Sequence, residues 1–125
     1  LTHVRDVMNG NPPSVAPAAA VAAAILEISR GGIGMTAVVD AQRRVLGIFT
    51  DGDLRRAFEK NIDLRALTVA DVMTARPRTI GPDKLAVEAV EMMEQFKINA
   101  LPVTDTDSQL IGALNMHDLF RAKVI

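Results

Sequence analysis

The sequence predicts an α/β fold (α+β in its layering) built from two β-α-β-β-α repeats, and three observations predict it. The stretch Gly47-Ile48-Phe49-Thr50-Asp51-Gly52-Asp53-Leu54-Arg55-Arg56 reads as a strand end, a polar corner and the first turn of a helix. It recurs at an offset of 65 residues as Gly112-Ala113-Leu114-Asn115-Met116-His117-Asp118-Leu119-Phe120-Arg121. At that offset the chain aligns on itself without a gap from Val4 to Ala57, with about fifteen identities in one register. Finally, each copy holds one stretch of apolar residues at helical spacing, then two short apolar runs separated by a polar connector of hairpin size. A repeat this long implies two copies of one supersecondary unit that bury a shared face. The expected arrangement is a pseudo-twofold pair with a cleft between the copies.

The 125 residues suffice for one compact core, and 49% of them are apolar. No apolar run approaches the length of a membrane span, so a soluble globular domain is expected. A formal charge of −1 gives no electrostatic case for nucleic acid or an anionic membrane. There is no cysteine, which excludes disulfides, thiolate nucleophiles and thiolate zinc sites. Two histidines, His3 and His117, are too few for a His-rich metal site. The chain opens on Leu1 rather than Met, which suggests a piece of something larger.

Each copy should begin with a short helical turn, Val4-Arg5-Asp6-Val7-Met8 or Val69-Ala70-Asp71-Val72-Met73, closed by Pro12 or Pro77. In the second copy Thr68-Val69-Ala70-Asp71 is a capping-box pattern. A brief extended piece follows, Ser14-Val15 or Thr79-Ile80. Pro17 and Pro82 then read as first helical residues, which predicts helices from Pro17 to Arg30 and from Pro82 to Phe96. Gly31 and Gly32 stop the first. Strands are expected at Met35 to Val39, Val45 to Phe49, Ala100 to Thr104 and Leu110 to Leu114. Short helices from Asp53 to Glu59 and from Asp118 to Lys123 close the copies. The predicted organisation is a first repeat at 1–59, a linker at 60–67 and a second repeat at 68–125.

Thr50 and Asp53 stand at capping-box spacing, which explains them structurally whatever else they do. A helix start of this kind also offers free N–H groups and a positive dipole end, suited to phosphate. Asn115 replaces the threonine in the second copy while Asp118 is kept; Asn caps a helix as well as Thr does. Arg55, Arg56 and Arg121 fall in the first turns of these helices, where the dipole disfavours cations. Either a nearby anion or an exposed carboxylate partner accounts for them. His117 either reaches a ligand or is a half-exposed polar side chain at a helix start. Gly31-Gly32-Ile33-Gly34 follows a helix and lacks dinucleotide-fingerprint spacing. Asp105, Asp107 and Ser108 resemble the start of a calcium loop but lack its glycine and closing glutamate, so a hairpin turn is expected. The alanine-rich stretch Ala16 to Ala24 suits close packing or a subunit interface. No catalytic set and no metal site can be assembled from these residues.

Two such repeats with V-x-D-V-M openings, Ile98-Asn99-Ala100-Leu101-Pro102-Val103 and Gly47-Ile48-Phe49-Thr50-Asp51-Gly52-Asp53-Leu54 resemble a tandem cystathionine β-synthase (CBS) pair, the Bateman module, over essentially the whole chain. The runs Gly34 to Thr36, Gly47 to Arg56, Ala70 to Thr74, Leu85 to Ala89 and Met116 to Ala122 look more narrowly like the regulatory CBS region of D-arabinose 5-phosphate isomerases. Those enzymes carry an N-terminal sugar-isomerase (SIS) domain and feed Kdo and lipopolysaccharide biosynthesis.

The resemblance implies a regulatory, ligand-sensing pair in a cytoplasmic aldose-ketose isomerase, with no catalysis in this stretch. The implied ligand is a nucleotide or nucleotide-sugar, such as an adenine nucleotide or CMP-Kdo, with no obligatory cofactor. By the same resemblance, Thr50 and Asp53 contact phosphate and ribose, with Arg55 or Arg56 offsetting charge. Ser14, Val15, Met35 and Thr36 then flank the base, and Asn115, His117 and Asp118 form a second cleft. A homodimer is implied, and a higher homo-oligomer in the full protein. Two alternatives stand beside it: a purely structural dimerisation module that binds nothing, and a stand-alone adenylate sensor.

Overall fold

The computed structural model describes Leu1–Ile125. In chain order it comprises α1 (Val4–Val7), β1 (Ser14–Val15), α2 (Val21–Gly31), β2 (Met35–Val39), β3 (Val45–Thr50), α3 (Asp51–Glu59), a 3-10 turn (Leu64–Ala66), α4 (Val69–Val72), β4 (Thr74–Ala75), α5 (Ala86–Phe96), β5 (Ala100–Thr104), β6 (Leu110–Asn115) and α6 (Met116–Arg121). The β-α-β-β-α order is complete in the first repeat; in the second, the expected extended piece Thr79-Ile80 makes only a single bridge at Ile80, and the unexpected β4 pairs with β3.

The compact units divide the chain at different places from the sequence repeats. One unit is Pro13–Pro77; the other joins Leu1–Pro12 to Arg78–Ile125. The reason lies in hydrogen bonding and burial of the opening segments. His3 bridges Leu85, Val4 N–H donates to Lys84 O at 2.8 Å, and Asn9 exchanges backbone bonds with Ala113. Val4 is fully buried among Ile80, Val90, Met93, Leu101 and Leu119. The same events recur in Pro13–Pro77. There Ala20 bridges Thr68, Val69 N–H donates to Ala19 O at 2.8 Å, and Val69 is buried among Val21, Ala24, Ile28, Val38 and Phe49. Each core is thus completed by the opening helix of the other sequence repeat.

Pro13–Pro77 holds a four-stranded sheet in the order β1-β2-β3-β4, with β1 parallel to β2 and the other pairs antiparallel. The other unit pairs β5 with β6, extended by a parallel bridge from Ile80 to Val103 and by Asn9 at Ala113. Those bridges sit at the positions of Val15–Val38 and Ile48–Thr74 in the first sheet, so the two sheets share one register. Both antiparallel pairs also slip by one residue at the same place, between Val38 and Val39 and between Val103 and Thr104.

The long helices start later than expected. α2 begins at Val21 and α5 at Ala86. Pro17 and Pro82 instead sit second in β-turns, closed by Ala19 N–H to Ala16 O at 3.0 Å and Lys84 N–H to Gly81 O at 3.3 Å. Proline's fixed φ suits that turn position as well as it suits a helix start. Ala20 and Leu85 stay extended because each bridges another segment. Gly32 ends α2 in the left-handed region at φ 69°, and Lys97 takes the same position after α5 at φ 55°. The closing helices start two residues earlier than expected, at Asp51 and Met116, and α6 stops at Arg121.

Candidate functional site: a capped carboxylate in each unit

In Pro13–Pro77, β3 delivers Thr50 to the N-cap of α3. Asp53 N–H donates to Thr50 Oγ1 and Thr50 N–H to Asp53 Oδ2, both at 3.0 Å. The corner is fixed further by Asp51 N–H donating to Gly34 O at 3.1 Å. The other carboxylate oxygen, Asp53 Oδ1, accepts from Arg56 Nη2 at 2.7 Å and from Thr74 Oγ1 at 3.1 Å. The Asp53 side chain is only 8% exposed. Three donors, one a guanidinium, therefore hold a nearly buried carboxylate, the arrangement that makes such burial tolerable.

The second unit repeats the corner with one part missing. Asp118 N–H donates to Asn115 Oδ1 at 2.8 Å, Asn115 N–H to Asp118 Oδ2 at 2.9 Å, and Arg121 Nη2 to Asp118 Oδ1 at 2.8 Å. Met116 N–H donates to Asn99 O at 2.9 Å, matching the Asp51 bond. No hydroxyl corresponds to Thr74. Asn9 occupies that register position, and its Oδ1 accepts from Asn11 N–H at 2.9 Å.

The expected site residues separate into those that meet and those that do not. Thr50, Asp53 and Arg56 form one array, and Met35 is the cross-strand partner of Thr50. Met35 and Thr36 are fully buried, and the Thr36 hydroxyl donates to Ala37 O at 3.1 Å. Ser14 and Val15 pair with Ala37 and Val38, further along β2 toward its hairpin end. Ser14 N–H donates to Glu27 Oε1 and its hydroxyl accepts from Arg43 at 3.5 Å, away from Asp53.

Each of the three arginines has a carboxylate neighbour. Arg56 pairs with Asp53, Arg121 with Asp118, and Arg55 reaches Glu59 at 4.0 Å. Arg121 is the last residue of a six-residue helix, where the dipole favours a cation. His117 is exposed in the first turn of α6. Asp105 forms the expected hairpin turn, accepting Asp107 and Gln109 N–H at 2.9 and 3.0 Å.

Thr74 is the member that sequence reasoning missed. It stands 21 residues from Asp53, and its counterpart Asn9 carries no hydroxyl, so the repeat itself hid it. Chemically, the arrays can orient a ligand through carboxylate, hydroxyl and guanidinium. No group of three or more His, Cys, Asp or Glu gathers to hold a metal.

The sequence pattern of the CBS domain matches residues 4–60 and again 69–125. The chain belongs to the CBS domain family. Over its whole length this CBS pair is 46% identical to the arabinose 5-phosphate isomerase KdsD of Pseudomonas aeruginosa and 43% identical to that of Escherichia coli K12. It spans 39% and 38% of those proteins, so most of each relative has no counterpart here. Among solved structures, the CBS pair of protein MJ0100 matches with a TM-score of 0.89 at 22% identity, covering 98% of this chain and 99% of that one. The CBS protein PAE2072 of Pyrobaculum aerophilum matches at 0.85 and 19% identity, covering 94% and 89%. At these identities the likeness establishes the CBS-pair fold.

Proposed function

We propose that this CBS pair is the regulatory, ligand-sensing part of an arabinose 5-phosphate isomerase of Kdo and lipopolysaccharide biosynthesis. It binds a nucleotide or nucleotide-sugar and biases a sugar-isomerase domain of the same cytoplasmic chain. The carrying observation is the whole-length match to KdsD proteins of which it spans under two-fifths. Two proteins sharing the fold lend support through their ligands. The MJ0100 pair was solved with 5′-methylthioadenosine and S-adenosyl-L-methionine, and PAE2072 with AMP. CMP-Kdo, an activated end product downstream of such an isomerase, is the feedback candidate.

In this reading Asp53 accepts sugar hydroxyls in exchange for Thr74 or Arg56, and the freed Arg56, with Arg55, offsets phosphate charge. Asp118, with Asn115 and His117 beside it, is the second position. The pair assembles as a homodimer, the commonest closed arrangement of identical chains. The exposed Leu26, Phe58, Val87 and Phe120 supply apolar surface for it.

The reading is tested by calorimetry on the wild type, Asp53→Asn and Asp118→Asn with AMP, ATP, CMP and CMP-Kdo. Charged hydrogen-bond partners contribute about 1.5–3 kcal/mol each, so removing the charge at the occupied site weakens binding by roughly tenfold or more. One observation favours a purely structural module instead: Asp53 already has three donors within the chain. That second reading takes over if no ligand binds the wild type tighter than about millimolar, about −4 kcal/mol.

A further inference from the structure

Away from its capped carboxylate Asp118, the unit Leu1–Pro12/Arg78–Ile125 holds a cavity of about 550 Å³, a volume typical of small-molecule sites. Its lining includes Thr79, Gly81 and Lys84 from the turn before α5, and Thr104, Asp105 and Thr106 from the end of β5. Thr104 pairs with Leu110, whereas Asn115 pairs with Ala100 at the opposite end of the same ladder. The cavity is therefore distinct from the Asp118 corner.

The first repeat supplies an internal control, because the same positions there are Ser14, Ala16, Ala19, Val39, Asp40 and Ala41. Both repeats build the same turn and the same hairpin. Lys84 N–H to Gly81 O matches Ala19 N–H to Ala16 O, and Asp105 N–H to Gln109 O matches Asp40 N–H to Arg44 O. The fold thus requires neither an ammonium at 84 nor hydroxyls at 104 and 106, yet the second repeat has all three.

None of these groups is used internally. The hydroxyls of Thr79, Thr104 and Thr106 and the ammonium of Lys84 make no hydrogen bond or ion pair within the chain. Thr104 is 9% exposed as a residue, and its hydroxyl, unspent within the chain, is reached by solvent and so is open to an occupant of the cavity. Asp105 Oδ1 takes both N–H groups of its turn, which leaves Oδ2 free. Asp83, beside Lys84, is neutralised by Arg5.

We propose that this cavity binds a small polyhydroxylated anion of the sugar-phosphate class. The Lys84 ammonium meets the anionic group, while Asp105 Oδ2 and the threonine hydroxyls meet the ligand's hydroxyls. The carbonyls of Pro82 and Lys84, on the same turn, accept the N–H groups of Arg5 and Val4 at 3.0 and 2.8 Å. An occupant therefore bears on the segment that anchors α1.

The test is an amide-shift titration of the 15N-labelled 125-residue chain with ribose 5-phosphate, with ribitol and inorganic phosphate as separate arms. Saturable shifts centred on residues 79–84 and 104–106 are expected. Lys84→Ala and Thr104→Val install the residues of the first repeat, so both variants keep the fold, and each should weaken binding about tenfold. Ribitol and phosphate should each bind more weakly than the sugar phosphate. Four results each overturn the proposal: no saturation, shifts centred elsewhere, binding unchanged in Lys84→Ala, or phosphate alone binding as tightly as ribose 5-phosphate. Nucleotide binding at Asp53 is read separately, by the calorimetry on Asp53→Asn, so the two proposals fail independently.

Discussion

The hydroxyl of Thr74, in β4, donates to Asp53 Oδ1 at 3.1 Å and so ties the start of the second repeat to the helix cap of the first. Its removal is the direct probe of this link. Thr74→Val should cost about 1 kcal/mol, the usual net worth of one such bond, in urea unfolding followed by circular dichroism. Introducing threonine at the matching position, Asn9→Thr, offers Asp118 the same donor and should stabilise the other unit if the geometry transfers. Because Asn9→Thr also gives up the bond from Asn11 N–H to Asn9 Oδ1, a net loss of stability would show that the bond gained at Asp118 is the weaker of the two.

A side chain at Gly47 should be poorly tolerated, and more so than at Gly112. A Cβ at Gly47 would stand 2.5 Å from Met73 Sδ and 2.8 Å from the carbonyl oxygen of Thr74; at Gly112 the corresponding distances, to Met8 Sδ and Asn9 O, are 2.5 and 3.2 Å. A methionine end can move aside, whereas a strand backbone cannot. Overpacking of this kind costs about 1–3 kcal/mol. Gly47→Ala is expected near the upper end and Gly112→Ala near the lower, measured by thermal unfolding of each variant.

Lys97 closes α5 in the left-handed region where α2 uses Gly32. That conformation costs an L-residue about 1 kcal/mol, against a smaller entropic penalty for glycine. Lys97→Gly should therefore raise stability by a few tenths to about 1 kcal/mol. A lower melting temperature than wild type would refute it.

Acid should weaken the unit Pro13–Pro77 through three carboxylates, one of them Asp63, whose carboxyl the Arg65 side chain and N–H hold below its ordinary value. The Arg30 guanidinium holds the Glu27 carboxyl below its ordinary value, and the Arg44 N–H, then the Arg44 side chain, do the same for Asp40. A depressed folded pKa favours the native state at pH values above the unfolded pKa, near 4 for these side chains, and that contribution is lost as pH falls through the folded value. Stability should thus be level above about pH 5 and decline below pH 4. Asp40→Asn should flatten that decline, as measured by unfolding at a series of pH values from 3 to 7.

How far the sequence reached can be seen element by element. The self-alignment at 65 residues identified both copies of the β-α-β-β-α unit, because side-chain periodicity and turn chemistry are local properties written at fixed spacings. The Thr50–Asp53 cap was legible for the same reason: donor and acceptor lie three residues apart. The starts of α2 and α5 were not, since Pro17 and Pro82 suit a turn and a helix equally. Only the pairing of Ala20 with Thr68 and of Leu85 with His3 holds the chain extended there.

The same limit governs the cores and the site. Sequence alone determined two equivalent repeats, their antiparallel pairs β2–β3 and β5–β6, and the caps at Thr50 and Asn115. Tertiary structure decided that Val4 is buried with the second repeat and Val69 with the first, because an apolar side chain seeks cover without regard to sequence distance. It decided as well that Asp53 acquires Thr74 while Asp118 has no hydroxyl partner, and that Lys84, Thr104 and Asp105 line one cavity. Each of these depends on residues many positions apart meeting in space, which no local spacing encodes.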